Sequence, residues 1–92
     1  MIESKLVGST LYIGLSGELD ESSAVFIRSK MDALFNTGNM RKVVVEMSEL
    51  TFMDSTGIGV LLGRYKKLKA MGIPVYIANP SGSIDKVLQC IQ

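Results

Sequence analysis

The sequence predicts a single α/β domain with a mixed, mostly parallel sheet and helices, and three observations lead there. Short apolar runs, alternating or β-branched, take turns with longer stretches in which apolar residues recur every three or four positions. Those are the periods of strand and helix. Gly38 and Gly72 stand where the first two helical stretches stop, as helix-terminating glycines do. The resulting order, β-β-α-β-α-β-α, contains strand–helix–strand units, which pair in parallel through right-handed crossovers and leave an antiparallel strand at one edge. At 92 residues the chain fits one domain, residues 1–92. No repeat, linker or low-complexity segment interrupts it.

Each element has its own local reason. Leu6 and Val7 belong to a short first strand that ends at the Gly8-Ser9 turn signal. Leu11, Ile13 and Leu15 alternate with Tyr12, Gly14 and Ser16, and Gly17 is expected to close this second strand. Asp20 and Ser22 are candidate N-caps of a helix running to about Asn36, with Ala24, Ile27, Met31, Leu34 and Phe35 on one face. Lys42 to Met47 is a β-branched run expected to form a strand buried on both faces. Ser48 to Met53 is expected to be a loop anchored by Leu50 and Phe52. A second helix begins near Ser55 with Ile58, Leu61, Leu62, Tyr65 and Leu68 as its apolar stripe. Ile73 to Ala78 reads as another buried strand, with Pro74 near its start. Asn79-Pro80-Ser81-Gly82 is a turn, and Ile84, Val87, Leu88 and Ile91 outline a last helix.

Composition narrows the function. A net charge of +1 argues against nucleic acid as the main partner, because binding a phosphate backbone needs a clear basic surface. The one dense basic run, Arg64 to Lys69, is either a solvated helix face or a docking patch. The single cysteine, Cys90, excludes an intrachain disulfide and a cysteine-based metal cage. It is expected to be a structural thiol, and the six methionines to be core filling. A small chain without disulfides fits the reducing cytoplasm. The N-terminus has no basic leader with an apolar stretch behind it, and Ile58 to Gly63 is too short to span a bilayer, so no membrane role is expected. Histidine is absent. That removes serine–histidine catalysis, the commonest zinc ligand and the usual base near neutral pH. We expect no enzyme, no cofactor and no metal site.

The segment that stands out is Phe52-Met53-Asp54-Ser55-Thr56-Gly57-Ile58-Gly59, after a strand and at the opening of a helix. Functional groups gather at the carboxyl ends of strands in open α/β sheets. Free N–H groups and the helix dipole favour negative charge there, by roughly 0.3–1 kcal/mol at an exposed site. A phosphoryl group on Ser55 would bring about −1.5 to −2 charge to that helix end. The plainer explanation is that Ser55 or Asp54 merely caps the helix. Glycine within a helix costs about 1 kcal/mol relative to alanine, so Gly57 and Gly59 imply either close approach by a partner or tight helix–sheet packing. Gly57-x-Gly59-x-x-x-Gly63 misses the dinucleotide fingerprint by one residue, and no Walker lysine follows. Glu18 and Asp20, at the end of the second strand, are acidic helix-start residues or acceptors for a partner's basic groups. Asp20 is also placed to orient the Ser55 hydroxyl.

The run from Asp54 to Lys66 (Asp54-Ser55-Thr56-Gly57-Ile58-Gly59, then Gly63-Arg64-Tyr65-Lys66) resembles the STAS-domain anti-sigma factor antagonists, and within them the sporulation branch, the anti-sigma F factor antagonists. Leu15 to Asp20, the Val43-Val44-Val45 strand and Asn79-Pro80 fit the family in order, so the resemblance covers nearly the whole chain. It implies a cytoplasmic phosphoprotein of transcription regulation and sporulation that works by partner switching. The phosphoacceptor would be Ser55, with Thr56 as the alternative hydroxyl. The partner would be an anti-sigma factor serine kinase that brings its own ATP, and a PP2C-type phosphatase would reset the switch. Asp20 would be an acidic position beside the phosphorylation site, and together with the residue reading above this makes Glu18, Asp20, Asp54, Gly57 and Gly59 the candidate partner-binding residues. The rival readings are a STAS signalling module of stressosome or phosphosignalling type and a small nucleotide-binding protein. Family members usually continue beyond the last helix, so the resemblance also implies a chain that is short at its C-terminus, by nature or by truncation.

Overall fold

Strand β2 (Thr10–Leu19) is the centre from which the sheet is built. It pairs antiparallel with β1 (Ile2–Val7) across the Gly8 turn and parallel with β3 (Lys42–Met53), which in turn pairs parallel with β4 (Val75–Ala78). The sheet order is therefore β1-β2-β3-β4. Helices α1 (Ala24–Phe35) and α2 (Ser55–Ala70) make the two crossovers, and α3 (Gly82–Gln89) follows β4. Crossovers of one hand between successive neighbours deliver their helices to the same face. This computed structural model describes residues 1–89. The expectations for Cys90, Ile91, the Val87 side chain and the chain end at Gln92 lie outside what is described. No helix among the described residues is long and apolar enough to cross a membrane.

The core lies between that helical layer and one face of the sheet. Leu11, Ile13 and Leu15 of β2, Val43, Val45 and Met47 of β3, and Ala24, Ile27, Met31 and Phe35 of α1 are buried in one cluster. Each fully buried aliphatic side chain stabilises the fold by about 1.5–3 kcal/mol. Asp32 of α1 forms ion pairs with Arg64 Nε at 3.1 Å and Lys67 Nζ at 3.4 Å of α2, and accepts a hydrogen bond from the lysine. The basic run is therefore partly tied to α1 and is not a uniformly solvated face. Helix α2 ends as expected: Gly72, at φ +76, donates to the Lys69 carbonyl, and the Ile73 N–H reaches the Leu68 carbonyl. Those paired bonds satisfy carbonyls that the helix itself leaves free.

Several expectations need correction. Gly17 does not close β2. It sits within the strand at φ +78, next to a register shift. Ser48 to Met53 is not a loop but the second half of β3, paired with Ser16 to Leu19. Inward positions on β3 run 43, 45, 47 and then 50 and 53, because two bulges each insert one extra residue. Leu50 and Met53 are the anchors, while Phe52 faces solvent. Strand β3 is buried on one face only, with Val44 and Glu46 half-buried on the other. Strand β4 is a partly exposed edge that starts at Val75. On α2, Val60, outside the expected stripe, is buried with Leu68, while Ile58, Leu61 and Leu62 are half-buried and Tyr65 is exposed. Helix α1 starts at Ala24 with Ser23 as its N-cap, not Asp20 or Ser22, and no side chain caps it.

The bulged register has a measurable consequence. Leu50→Ala should cost about 2–5 kcal/mol by cavity formation, and Phe52→Ala about 0.5 kcal/mol or less as a surface change. Urea unfolding of the two variants separates this arrangement from a loop in which both side chains anchor equally.

Candidate functional site

The two bulges carry β2 and β3 side by side to their carboxyl ends, where Leu19 pairs with Met53. The next residue, Asp54, donates its N–H to the Leu19 carbonyl at 3.3 Å. Its backbone is extended (φ −101, ψ −173), and its carboxylate Oδ1 accepts the Gly57 N–H at 2.9 Å. Asp54 is therefore the N-cap of α2, and Ser55 is the first helical residue. The Ile58 N–H closes onto the Asp54 carbonyl at 2.9 Å. The other oxygen, Oδ2, accepts the Glu21 N–H at 3.2 Å. One side chain thus starts α2 and holds the turn that leads into α1.

Across the rim, Asp20 organises that turn. Its Oδ1 accepts the Ser22 hydroxyl at 2.7 Å and the Ser22 and Ser23 N–H groups at 3.0 and 3.2 Å. The Ser23 hydroxyl donates to the Glu18 carbonyl at 2.8 Å. The Ser22 hydroxyl, followed by these N–H groups, holds the Asp20 carboxyl below its ordinary value. Hydrogen bonding to the charged form has that effect. Asp20 and Asp54 share the rim as expected, but the Asp20 carboxylate is bonded to Ser22 and Ser23 and not to the Ser55 hydroxyl. The link between the two loops is made by Asp54 to the Glu21 backbone, a role the sequence reading missed because any residue type supplies an N–H.

Ser55 and Thr56 are both exposed and follow half-buried Asp54; Glu18, also exposed, pairs with Phe52 at the ends of the same two strands. The two glycines differ. Gly57 is buried, and a Cβ there would overlap the Leu19 carbonyl oxygen and press on the Leu19 and Met53 side chains. The fold itself requires glycine at that position. Gly59 is exposed, and a Cβ there would meet nothing. Beside it runs a shallow groove of about 250 Å³ between α1 and α2, lined by Ala24, Val25, Arg28, Thr56, Gly59 and Val60. Val25 is 66% and Phe26 53% exposed on the outer side of α1. The sequence signal for them was two consecutive apolar residues between the core positions Ala24 and Ile27. Among the described residues no cluster of acidic or cysteine side chains has the arrangement of a metal site.

The chain belongs to the STAS domain family, whose model matches residues 1–92. It is similar to an anti-sigma F factor antagonist of Lysinibacillus sphaericus, 38% identical over 80 residues that make up 87% of this chain and 68% of that one. Among solved structures it resembles the anti-sigma factor antagonist SpoIIAA in its unphosphorylated form (TM-score 0.78, 33% identity, 97% of this chain and 82% of that one). It also resembles SpoIIAA, described as a Bacillus cell fate determinant, in its phosphorylated form (TM-score 0.80, 32% identity, 99% and 83%). The relatives are named for regulatory binding and not for a reaction.

Three outcomes are expected from the site's geometry. Gly57→Ala should destabilise the protein by about 1–3 kcal/mol through overpacking, whereas Gly59→Ala should leave stability unchanged or raise it by up to about 1 kcal/mol. Thermal unfolding distinguishes the two. Asp54→Ala should cost about 1 kcal/mol through the lost cap, with faster amide exchange at both Gly57 and Glu21. The carboxyls of Asp20 and Glu46 are both held below their ordinary values, Asp20 chiefly by the Ser22 hydroxyl and Glu46 chiefly by the Ser48 N–H. A carboxyl lowered on folding adds stability above its unfolded value and loses it as pH falls through the folded one. Stability should therefore decline as pH drops below about 4, and Asp20→Asn should flatten that decline in an acid titration.

Proposed function

We propose that this protein is an anti-sigma factor antagonist switched by phosphorylation of Ser55. In the unphosphorylated state it binds an anti-sigma factor serine kinase and so frees the sigma factor. Transfer of the ATP γ-phosphoryl group to the Ser55 hydroxyl ends that binding, and a PP2C-type phosphatase hydrolyses the ester to restore it. The observation that carries this reading is the division of labour at the start of α2. Asp54 does the capping, so Ser55, exposed at the first helical position, is not accounted for by the cap.

The surroundings support it. A phosphate at this helix start meets favourable backbone dipoles, so the fold tolerates it. The same group brings a hydrated dianion next to Asp54, on the rim that it shares with Glu18 and Asp20, and one residue from Thr56 of the α1–α2 groove. Like-charge repulsion and the cost of desolvation then oppose any partner that packs there. The two SpoIIAA structures, unphosphorylated and phosphorylated, match this chain about equally well (TM-scores 0.78 and 0.80). That is in keeping with a modification read by a partner and not by the fold. Glu18 and Asp20 would receive basic groups of the kinase, and Gly59 would admit its closest approach.

Calorimetric titration with the cognate anti-sigma factor tests this reading. Ser55→Ala should keep wild-type affinity, and Ser55→Asp should weaken binding about tenfold or more. Gly59→Leu should weaken binding while leaving the melting temperature within a few degrees of wild type. Equal affinity for Ser55→Asp and wild type would remove Ser55 as the switch. No binding by any form would remove the antagonist reading itself.

A further inference from the structure

Both crossovers place their helices on one face of the sheet, and among the described residues nothing covers the other. The strand register fixes what that open face displays. Lys5, Tyr12, Val44 and Tyr76 stand in one row across all four strands. Tyr12 is 43% and Tyr76 54% exposed. On one side of this row lie Val7, Thr10 and Lys42, and on the other Glu3, Gly14, Glu46 and Ala78. The middle row is aromatic and apolar apart from Lys5 on the outer strand β1, with Lys42 at the start of β3 on one side of it and Glu46, four residues along β3, on the other.

We propose that this face is a self-association surface on which a second copy of the chain docks, sheet against sheet. A two-fold axis lying along the Tyr12 row sets each strand over its own counterpart, running the opposite way. Lys42 then faces Glu46 of the second copy and the reverse, so one operation pairs both charges. Lys5, in the row on the axis, meets its own copy, but it stands on the outer strand β1, where its side chain can turn to solvent. An axis parallel to the strands would instead set Lys42 over Thr10 and Glu46 over Gly14 of the second copy and pair neither charge. The charge pattern therefore selects one of the two symmetric arrangements. Glu46 is fixed for this role, its Oε1 accepting the Ser48 N–H at 2.9 Å and its Oε2 the Asn79 amide at 2.8 Å. Lys42 Nζ lies 6.0 Å from the Tyr76 ring centre. Gly14, whose Cβ position is open, leaves room opposite Thr10 of the second copy. Sheets stacked face to face sit about 10 Å apart, a gap that tyrosine rings fill.

The molecule measures 31 × 24 × 22 Å, so one sheet face offers less area than an obligate dimer buries, and the association is a weak, concentration-dependent one. The face lies on the opposite side of the sheet from α1 and α2, and docking there leaves Ser55 open. The inference is therefore independent of the proposed switch.

Sedimentation velocity on the purified protein, from about 10 μM to 1 mM, tests it. The weight-average mass should rise from monomer towards dimer across that range. Lys42→Glu and Glu46→Lys should each weaken association about tenfold or more, and the double variant should recover most of it because the reversed charges face each other again. Tyr12→Glu, a change at an exposed position, should abolish association while the circular dichroism spectrum stays unchanged. A constant monomer mass at the highest concentration would overturn the proposal. So would a dimer that Tyr12→Glu and Lys42→Glu leave intact, or a double variant no better than the singles.

Discussion

The two oxygens of the Asp54 carboxylate serve different helices. Oδ1 starts α2 through Gly57, and Oδ2 holds the α1 turn through Glu21. Asp54 can do both only because its own N–H is anchored on Leu19, and Leu19 reaches that point only because β2 and β3 stay paired through two bulges. Gly57 lets the helix close down on the same carbonyl. Strand register, helix start and the position of the Ser55 hydroxyl are therefore one coupled arrangement. The rim is tied by hydrogen bonds at Asp20 and Asp54 and leaves Ser55 exposed.

The rest of the molecule divides its surfaces accordingly. Sequential strand order puts all crossover helices on one side, which concentrates the core there and presents Ser55 at the end of the helical layer. The α1–α2 seam is held below the groove by Asp32 with Arg64 and Lys67. Above that seam, Val25, Thr56 and Gly59 remain accessible around Ser55. The acidic rim of Glu18, Asp20 and Asp54 does structural work through its carboxylate and backbone bonds while keeping the surface negative. A chain this small has little core to spare, and using the same residues for capping and display suits that limit.

Much of this was legible in the residues. Regular alternation on Leu11-Ile13-Leu15, the β-branched run at Val43–Val45 and the glycine stop at Gly72 led directly to the right elements and order. The reading failed where periodicity itself changes. Bulges turned the inward spacing of β3 from two to three after Met47, so half a strand looked like a loop, and Gly17 looked like a terminus when it lies inside one. Edge exposure of β4 depends on which strand has no outer neighbour, and local sequence does not carry that. At the site, the types Asp54 and Ser55 were conspicuous, but which of them caps the helix depends on backbone angles. The Gly57–Gly59 contrast depends on where the Leu19 carbonyl arrives from a strand some forty residues earlier.

The most direct measurement is site-mapped mass spectrometry of the protein after incubation with ATP and its cognate anti-sigma factor. If Asp54 is the cap and Ser55 the displayed hydroxyl, one phosphate per chain will be found, on Ser55, and the modified protein will keep its melting temperature within a few degrees. A phosphate on Thr56, or a kinase active on other antagonists that leaves this chain unmodified, would contradict it.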